Sequence, residues 1–254
     1  MRRAVCALVG IVALCSATAV AQRRAFGGGG RWGQIPIAPN TPYDGRFMFI
    51  RVRYGPDYGY ASQRLPWSHD YPAGEQHFMK ILNELSYLNP HTEETNILTF
   101  DDPELFKYPI AYLCEPGGWT LTDGEAAGLR AYLQKGGFLI VDDFRFQHWN
   151  NFEQQLARVL PEARVYDLDI ASPIFHSFFE IKTLDVPQYY DPPPPIFRAV
   201  YEDNDPAKRI MMMINYNTDI SEYWEWSDTG LKPIDESNEA YKLGVNYVIY
   251  GMTH

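Results

Sequence analysis

Apolar positions along this chain fall into runs of two different periods, and the two kinds of run alternate. RFMFIRVRY, residues 46–54, puts Phe47, Phe49, Ile50 and Val52 in a nearly continuous stretch, the pattern of a strand covered on both faces. Phe78, Ile81, Leu82, Leu85 and Leu88 then recur at spacings of three and four, which predicts one face of a helix that Pro90 ends. Residues 96–100 read as a short strand, Asp101-Asp102-Pro103 as a turn, and residues 110–113 as another strand. Thr122-Asp123-Gly124-Glu125 is a capping box that starts a second helix, and Gly136-Gly137 stops it. The strand Phe138 to Val141 follows, with four apolar residues and no alternation, so it is predicted to be central in its sheet. A third helix is predicted over residues 151–160, with Phe152, Leu156 and Val159 facing inward and Pro161 at its end.

The stretch 108–144 therefore holds strand, loop, capped helix and strand in under forty residues, the repeating unit of a parallel-sheet α/β domain. Later in the chain the pattern weakens. Residues 172–181 are rich in aromatics and fit neither period, Pro192 to Pro195 is a stiff extended spacer, and residues 209–214 form a late strand. Residues 237–250 fit either a helix or a helix that gives way to the strand VNYVIY. Ala240, Leu243, Tyr247 and Val248 share a helical face, which favours the helix.

The N-terminus bears on compartment. Arg2 and Arg3 precede an apolar run over residues 4–20 that is short for a membrane span, and Ala19-Val20-Ala21 has the form of a cleavage site. Residues 1–21 are thus expected to be a signal peptide, leaving Gln22 first and placing the protein outside the cytoplasm, in the periplasm or the medium. A retained anchor is the alternative, but no stop-transfer flank follows. Cys15 comes after Leu14, where lipidation needs a small residue. Residues 22–45, with GGGG and several prolines, read as a mobile linker, and residues 46–254 as one domain.

Composition then narrows the partners. The full chain has 22 basic and 32 acidic residues, a net charge of −10, and removal of Arg2 and Arg3 leaves 20 basic residues. That excess of acid argues against nucleic acid as a partner. Cys6 and Cys15 leave with the signal, so Cys114 is the one thiol of the mature chain and no internal disulfide framework is expected.

Five segments, RVRYG (51–55), DDPELFKYP (101–109), YLQKGGFLIVDD (132–143), SPIFHSFF (172–179) and KLGVNYVIY (242–250), resemble in content and order the family called domain of unknown function 4159. The resemblance runs from Arg46 to the C-terminus. It implies a fold similar to class I glutamine amidotransferase-like domains, that is, a flavodoxin-like α/β architecture in which helices flank a mostly parallel sheet. Amidotransferases carry a nucleophilic cysteine at a strand-to-helix elbow, backed by a histidine and an acid. Here Asp142 and Asp143 stand at that elbow, and a carboxylate does no thiol chemistry. Cys114 lies in LCEPGG, which resembles the oxyanion side of the fold, and reads as a small buried residue.

Open α/β sheets place ligands beyond the carboxyl ends of their strands. That rule gathers Arg53 and Tyr54, Asp101 and Asp102, Cys114 and Glu115, Asp142 and Asp143, and the residues from Asn215 to Asp219 at one edge, with His148 or His176 nearby. Arg53, Tyr54, Glu115, Asp142, Asp143, His176 and Asp219 make the candidate crevice. Crowded carboxylates need a cation, an arginine or shared protons, and Arg53, Arg145 or a divalent metal would serve. Each residue also has a plainer reading: Asp142 as a helix cap, His176 as a packed histidine, and Trp224-Glu225-Trp226 as fold-forming aromatics rather than a sugar platform. His69 and His77 show no third partner with metal-ligand spacing. No catalytic constellation, metal motif or cofactor motif is complete. The sequence favours an exported, non-catalytic binding or assembly domain for a protein or glycan. The alternative is a periplasmic hydrolase with a carboxylate or metal-assisted centre near Asp142, Asp143 and Asp219.

Overall fold

A computed structural model describes residues 33–185 and 193–254. The expected signal peptide, residues 22–32 of the expected linker, and Pro192 of the proline spacer lie outside the described residues. In chain order the elements are β1 (Ile35–Pro36), β2 (Phe49–Val52), β3 (Tyr60–Ala61), α1 (Ala73–Leu85), β4 (Thr95–Leu98), β5 (Ile110–Cys114) and α2 (Asp123–Gln134). They continue with β6 (Phe138–Phe144), α3 (His148–Val159), β7 (Val165–Asp167), β8 (Ile196–Tyr201), β9 (Ile210–Tyr216), α4 (Ile220–Glu225) and α5 (Ile234–Thr253).

The main sheet has seven strands in the order β4-β2-β5-β6-β9-β8-β7. Neighbours from β4 through β9 are parallel. β8 and β7 extend the sheet as antiparallel strands. The chain lays β4 on one side of β2 and then returns to lay β5 on the other, so the strand order reverses at β2. This α/β single-domain architecture is consistent with the flavodoxin-like expectation, and such a reversal opens a crevice between the carboxyl ends of the strands.

Strand alternation sorts the core into two layers. Ala111 and Leu113 of β5, with Leu139 and Val141 of β6, pack under α2 and α3 through Leu129, Leu133, Phe152 and Leu156. Ile110, Tyr112 and Cys114, with Phe138 and Ile140, face the opposite layer of α1, α4 and α5. In that second layer Phe78 of α1 stacks on Trp224 of α4, with centroids 4.3 Å apart. Trp224 is buried, so its ring serves the core and not a sugar.

The structure corrects the end of the first helix and adds detail at two further places. The first helix ends at Leu85, whose successor Ser86 caps Leu82 through both its backbone N–H and its hydroxyl. Leu85 is consequently exposed, and Leu88 packs from the following turn. Residues 172–181 include a 3-10 turn at Pro173–His176 that buries Ile174 and Phe175. The chain is also fastened before Arg46: β1 pairs with β3, and Asn40 brackets Ile97 with its side-chain amide, accepting from the Ile97 N–H and donating to its carbonyl. The final segment is helical through Thr253, as the shared face of Ala240, Leu243, Tyr247 and Val248 indicated.

Candidate functional site: an acidic crevice at the sheet edge

The two aspartates that end β6 point to different places. Asp142 continues the face of Phe138 and Ile140 and is fully buried. It accepts hydrogen bonds from Tyr112 Oη (2.9 Å), Asn215 Nδ2 (3.0 Å), the Ile220 N–H (3.1 Å) and the Ser221 N–H (3.2 Å). Tyr247 in turn donates to Asn215 Oδ1 at 3.0 Å. Asp142 thus sits on the N-terminal amides of α4, where a carboxylate is favoured. The plainer reading, a cap, describes it, although the helix it caps lies 78 residues further on.

Asp143 follows with a positive φ of 58°, and the β6–β9 register shifts between Val141 and Phe144. The shift turns its side chain into the crevice. There Asp143 Oδ2 lies 3.1 Å from His69 Nδ1 and 3.8 Å from Cys114 Sγ.

His69 and Asp70 arrive on the loop between β2 and α1, and a buried arginine sets that loop. Arg51 of β2 pairs with Glu75 of α1, lies over the Tyr112 ring at 5.1 Å, and donates from Nη1 to the carbonyls of Trp67 and His69 at 3.0 Å each. Asp70, with φ of 63°, is wholly buried. Its Oδ2 accepts from Ser221 Oγ at 2.5 Å. Asp219, also wholly buried, caps α4 by accepting from the Glu222 N–H at 2.9 Å. The other oxygen of each, Asp70 Oδ1 and Asp219 Oδ2, receives no hydrogen bond. His69 Nδ1 lies 3.4 Å from Asp70 Oδ1, farther than the 3.1 Å that separates it from Asp143 Oδ2.

Burial and mutual repulsion govern the protonation of the group. Burial, then Asp143, raises the Asp142 carboxyl to about 7 against the pull of its hydrogen-bond donors. Burial and Asp143 likewise raise Glu115 to about 8, and Asp219 stands well above the usual carboxylate range for the same two reasons, with Asp70 adding to them. Burial alone would lower His69, but its bond to Asp143 and the charges of Asp70, Asp143 and Glu115 outweigh that and lift it to about 10. The Cys114 thiol is buried and pushed well up, first by burial and then by Asp143, so it is held as a thiol and not as the thiolate a nucleophile requires.

Of the residues placed in the crevice from sequence, Asp143, Asp219 and Glu115 gather around His69. Tyr54 lines the same edge, donating from its hydroxyl to the carbonyls of Cys114 (3.0 Å) and Glu115 (2.6 Å). Arg53 sits on the rim and pairs with Asp57 at 3.2 Å. His176 takes no part: its turn packs on α5, and its ring bonds the Ile170 carbonyl at 2.6 Å and Glu180 at 2.7 Å. Asp101 and Asp102 also stay out, Asp101 accepting from Thr99 and Asp102 capping a 3-10 turn at Glu104. The structure adds His69 and Asp70 to this group, and His77, the partner that sequence spacing offers His69, stays out of it. That histidine instead bonds the Trp224 carbonyl, whereas the true neighbours of His69, Asp143 and Asp219, are far away in the chain.

No functionally curated protein matches the chain in sequence. The family model described as "Domain of unknown function (DUF4159)" matches residues 48–252, from the start of β2 to the last turn of α5. That span includes every side chain of the crevice, and the chain belongs to this family.

Proposed function

We propose that the protein is an exported binding domain that takes a protein or glycan partner at the mouth of the acidic crevice. One observation carries the reading. Side chains from the β2–α1 loop, the turn after β5, the end of β6 and the turn before α4 converge at the strand-order reversal, where α/β domains hold ligands. The buried, protonated Cys114 supports binding over thiol catalysis. Export rests on the charged, apolar and Ala-x-Ala pattern of residues 1–21.

The test is photo-cross-linking in the native envelope fraction. A photoreactive amino acid is placed singly at Arg53 and at Glu115 on the rim, and at Tyr87, fully exposed beyond the far end of α1, as a control. Discrete adducts at the two rim positions, absent at Tyr87, are expected, and mass spectrometry of the same material should find Gln22 as the first residue. Equal labelling at all three positions would sink the binding reading, and an intact Met1 in the membrane fraction would sink export.

The unbonded oxygens of Asp70 and Asp219 favour a second reading, a metal-assisted hydrolase centred on Asp143 and Asp219, with Asp142 committed to its helix cap. Hydrolysis of cell-wall fragments that chelation stops, and that Asp143→Asn abolishes, would establish it in place of the first.

A further inference from the structure

The floor of the crevice has the dimensions of a coordination shell. One ligand atom each from His69, Asp70, Asp143 and Asp219 lies within 4.8 Å of every other. Ligands on opposite sides of a small divalent cation stand roughly 4.2 Å apart, given bonds of about 2.1 Å. An acidic cluster alone would not argue for a metal. The second observation is that two of these carboxylates are wholly buried and each keeps one oxygen without a hydrogen-bond donor. Buried acceptors are almost always satisfied, and these two belong to the same four-residue group.

We infer that His69, Asp70, Asp143 and Asp219 bind one divalent cation of the manganese type. The inference deepens the crevice reading and takes its biological sense from it.

The groups around the four ligands are arranged to aim them. Ser221 Oγ holds Asp70 Oδ2 and the Glu222 N–H holds Asp219 Oδ1, so in each carboxylate one oxygen is fixed and the other is left to coordinate. Arg51 fixes the backbone of His69 through its carbonyl. Such supporting contacts are what orient metal ligands. The donor set selects the cation class. Three carboxylates suit magnesium, calcium and manganese, whereas imidazole suits the later transition metals. Manganese accepts both. Coordination needs an unprotonated imidazole nitrogen and ionised carboxylates, so the cation competes with protons and binding strengthens as pH rises.

A second acidic group, Asp70, Glu222 and Glu225, adjoins the first but already has Lys232, whose Nζ is 3.4 Å from Glu222. It needs no ion. A cleft of about 330 Å³ between α3 and β7, lined by Trp149, Leu160 and Arg198, brings together no comparable set of ligands, and its Arg198 is held by Asp167.

The experiment uses the purified mature protein after EDTA treatment and dialysis. Mn²⁺ is titrated in and the free-ion electron paramagnetic resonance signal is followed, with thermal melting in parallel. Saturation at a single Mn²⁺ per chain, a raised melting temperature and competition by Mg²⁺ are expected. Asp219→Asn retains the oxygen that caps α4, and His69→Gln keeps a polar side chain but removes the imidazole ligand. Each should weaken Mn²⁺ binding roughly tenfold or more; without metal, Asp219→Asn should melt no lower than the parent, whereas His69→Gln, which removes the positive charge beside Asp143, should melt lower. Should Asp219→Asn fail to fold, Asp143→Asn carries the same expectation.

Failure to bind Mn²⁺, undiminished binding in the variants, or retention of Zn²⁺ with no Mn²⁺ binding would each overturn the inference. The cross-linking result is separate: adducts at residues 53 and 115 without metal binding sink only the inference, and Mn²⁺ binding without adducts sinks only the partner reading.

Discussion

Two adjacent aspartates show how far one residue's backbone angle decides its chemistry. Asp142 faces four donors, two of them backbone amides of α4. Replacing it with Asn turns an NH2 toward at least one of those donors, and an unsatisfied buried donor costs about 1–2 kcal/mol. Asp143 lies beside the His69 ring and the Cys114 thiol, and its charge repels the carboxyls of Asp142, Glu115 and Asp219. Asp143→Asn relieves repulsion there, and functional acids tend to cost stability. Urea unfolding at pH 8 without added metal should therefore rank Asp142→Asn below the parent and Asp143→Asn level with it or above. The reverse order would mean that the cap has been assigned to the wrong residue.

Among the elements, α2 comes close to the turn that follows β4 at Gly128. A Cβ on Gly128 would meet the carbonyl oxygen of Phe100 and stand 2.9 Å from its carbonyl carbon. The obstacle is backbone and cannot rotate away, so Gly128→Ala should lower stability by about 1–3 kcal/mol, read as a shift of the urea midpoint. An unshifted midpoint would show that helix and strand end have room to part. The helices and central strands were legible in the sequence because each carries its own period or cap: the Thr122 box, the apolar run Phe138 to Val141, and the shared face of Ala240 and Leu243. The antiparallel extension by β7 and β8 was not, because residues 172–181 and the proline spacer break the pattern between them. Nor was the role of His69 legible. Its neighbours lie 74 and 150 positions away in Asp143 and Asp219, and local spacing carries no trace of contacts made by sheet topology. The strand-end rule did reach Asp143, Asp219 and Glu115, since it depends on topology rather than on local motif, but it also took in Asp101 and Asp102, whose carboxylates are spent on local bonds, and His176, set beside it without a strand of its own, lies elsewhere.

Across the whole molecule, the buried groups set a common pH trend. Asp142 and Glu115 are raised to about 7 and about 8, and His69 to about 10. All three values exceed those of an unfolded chain. The folded state therefore binds more protons than the unfolded state between about pH 4 and pH 10, and stability must fall as pH rises through that window. Without metal, the melting temperature should decline steadily from pH 5.5 to pH 8.5. A flat or rising profile would show that the crevice acids are already neutralised by groups other than protons. No helix among the described residues is long and apolar enough to cross a membrane.

The Arg51–Glu75 pair has a consequence for how the crevice can change. Because the loop bearing His69 and Asp70 is fastened from within, by a guanidinium under the sheet edge, its geometry owes little to the rim. Arg53 and Glu115 stand outside that fastening. On the binding reading proposed above, substitutions at the rim should retune what the crevice admits while the floor keeps its shape, so the two are open to independent redesign.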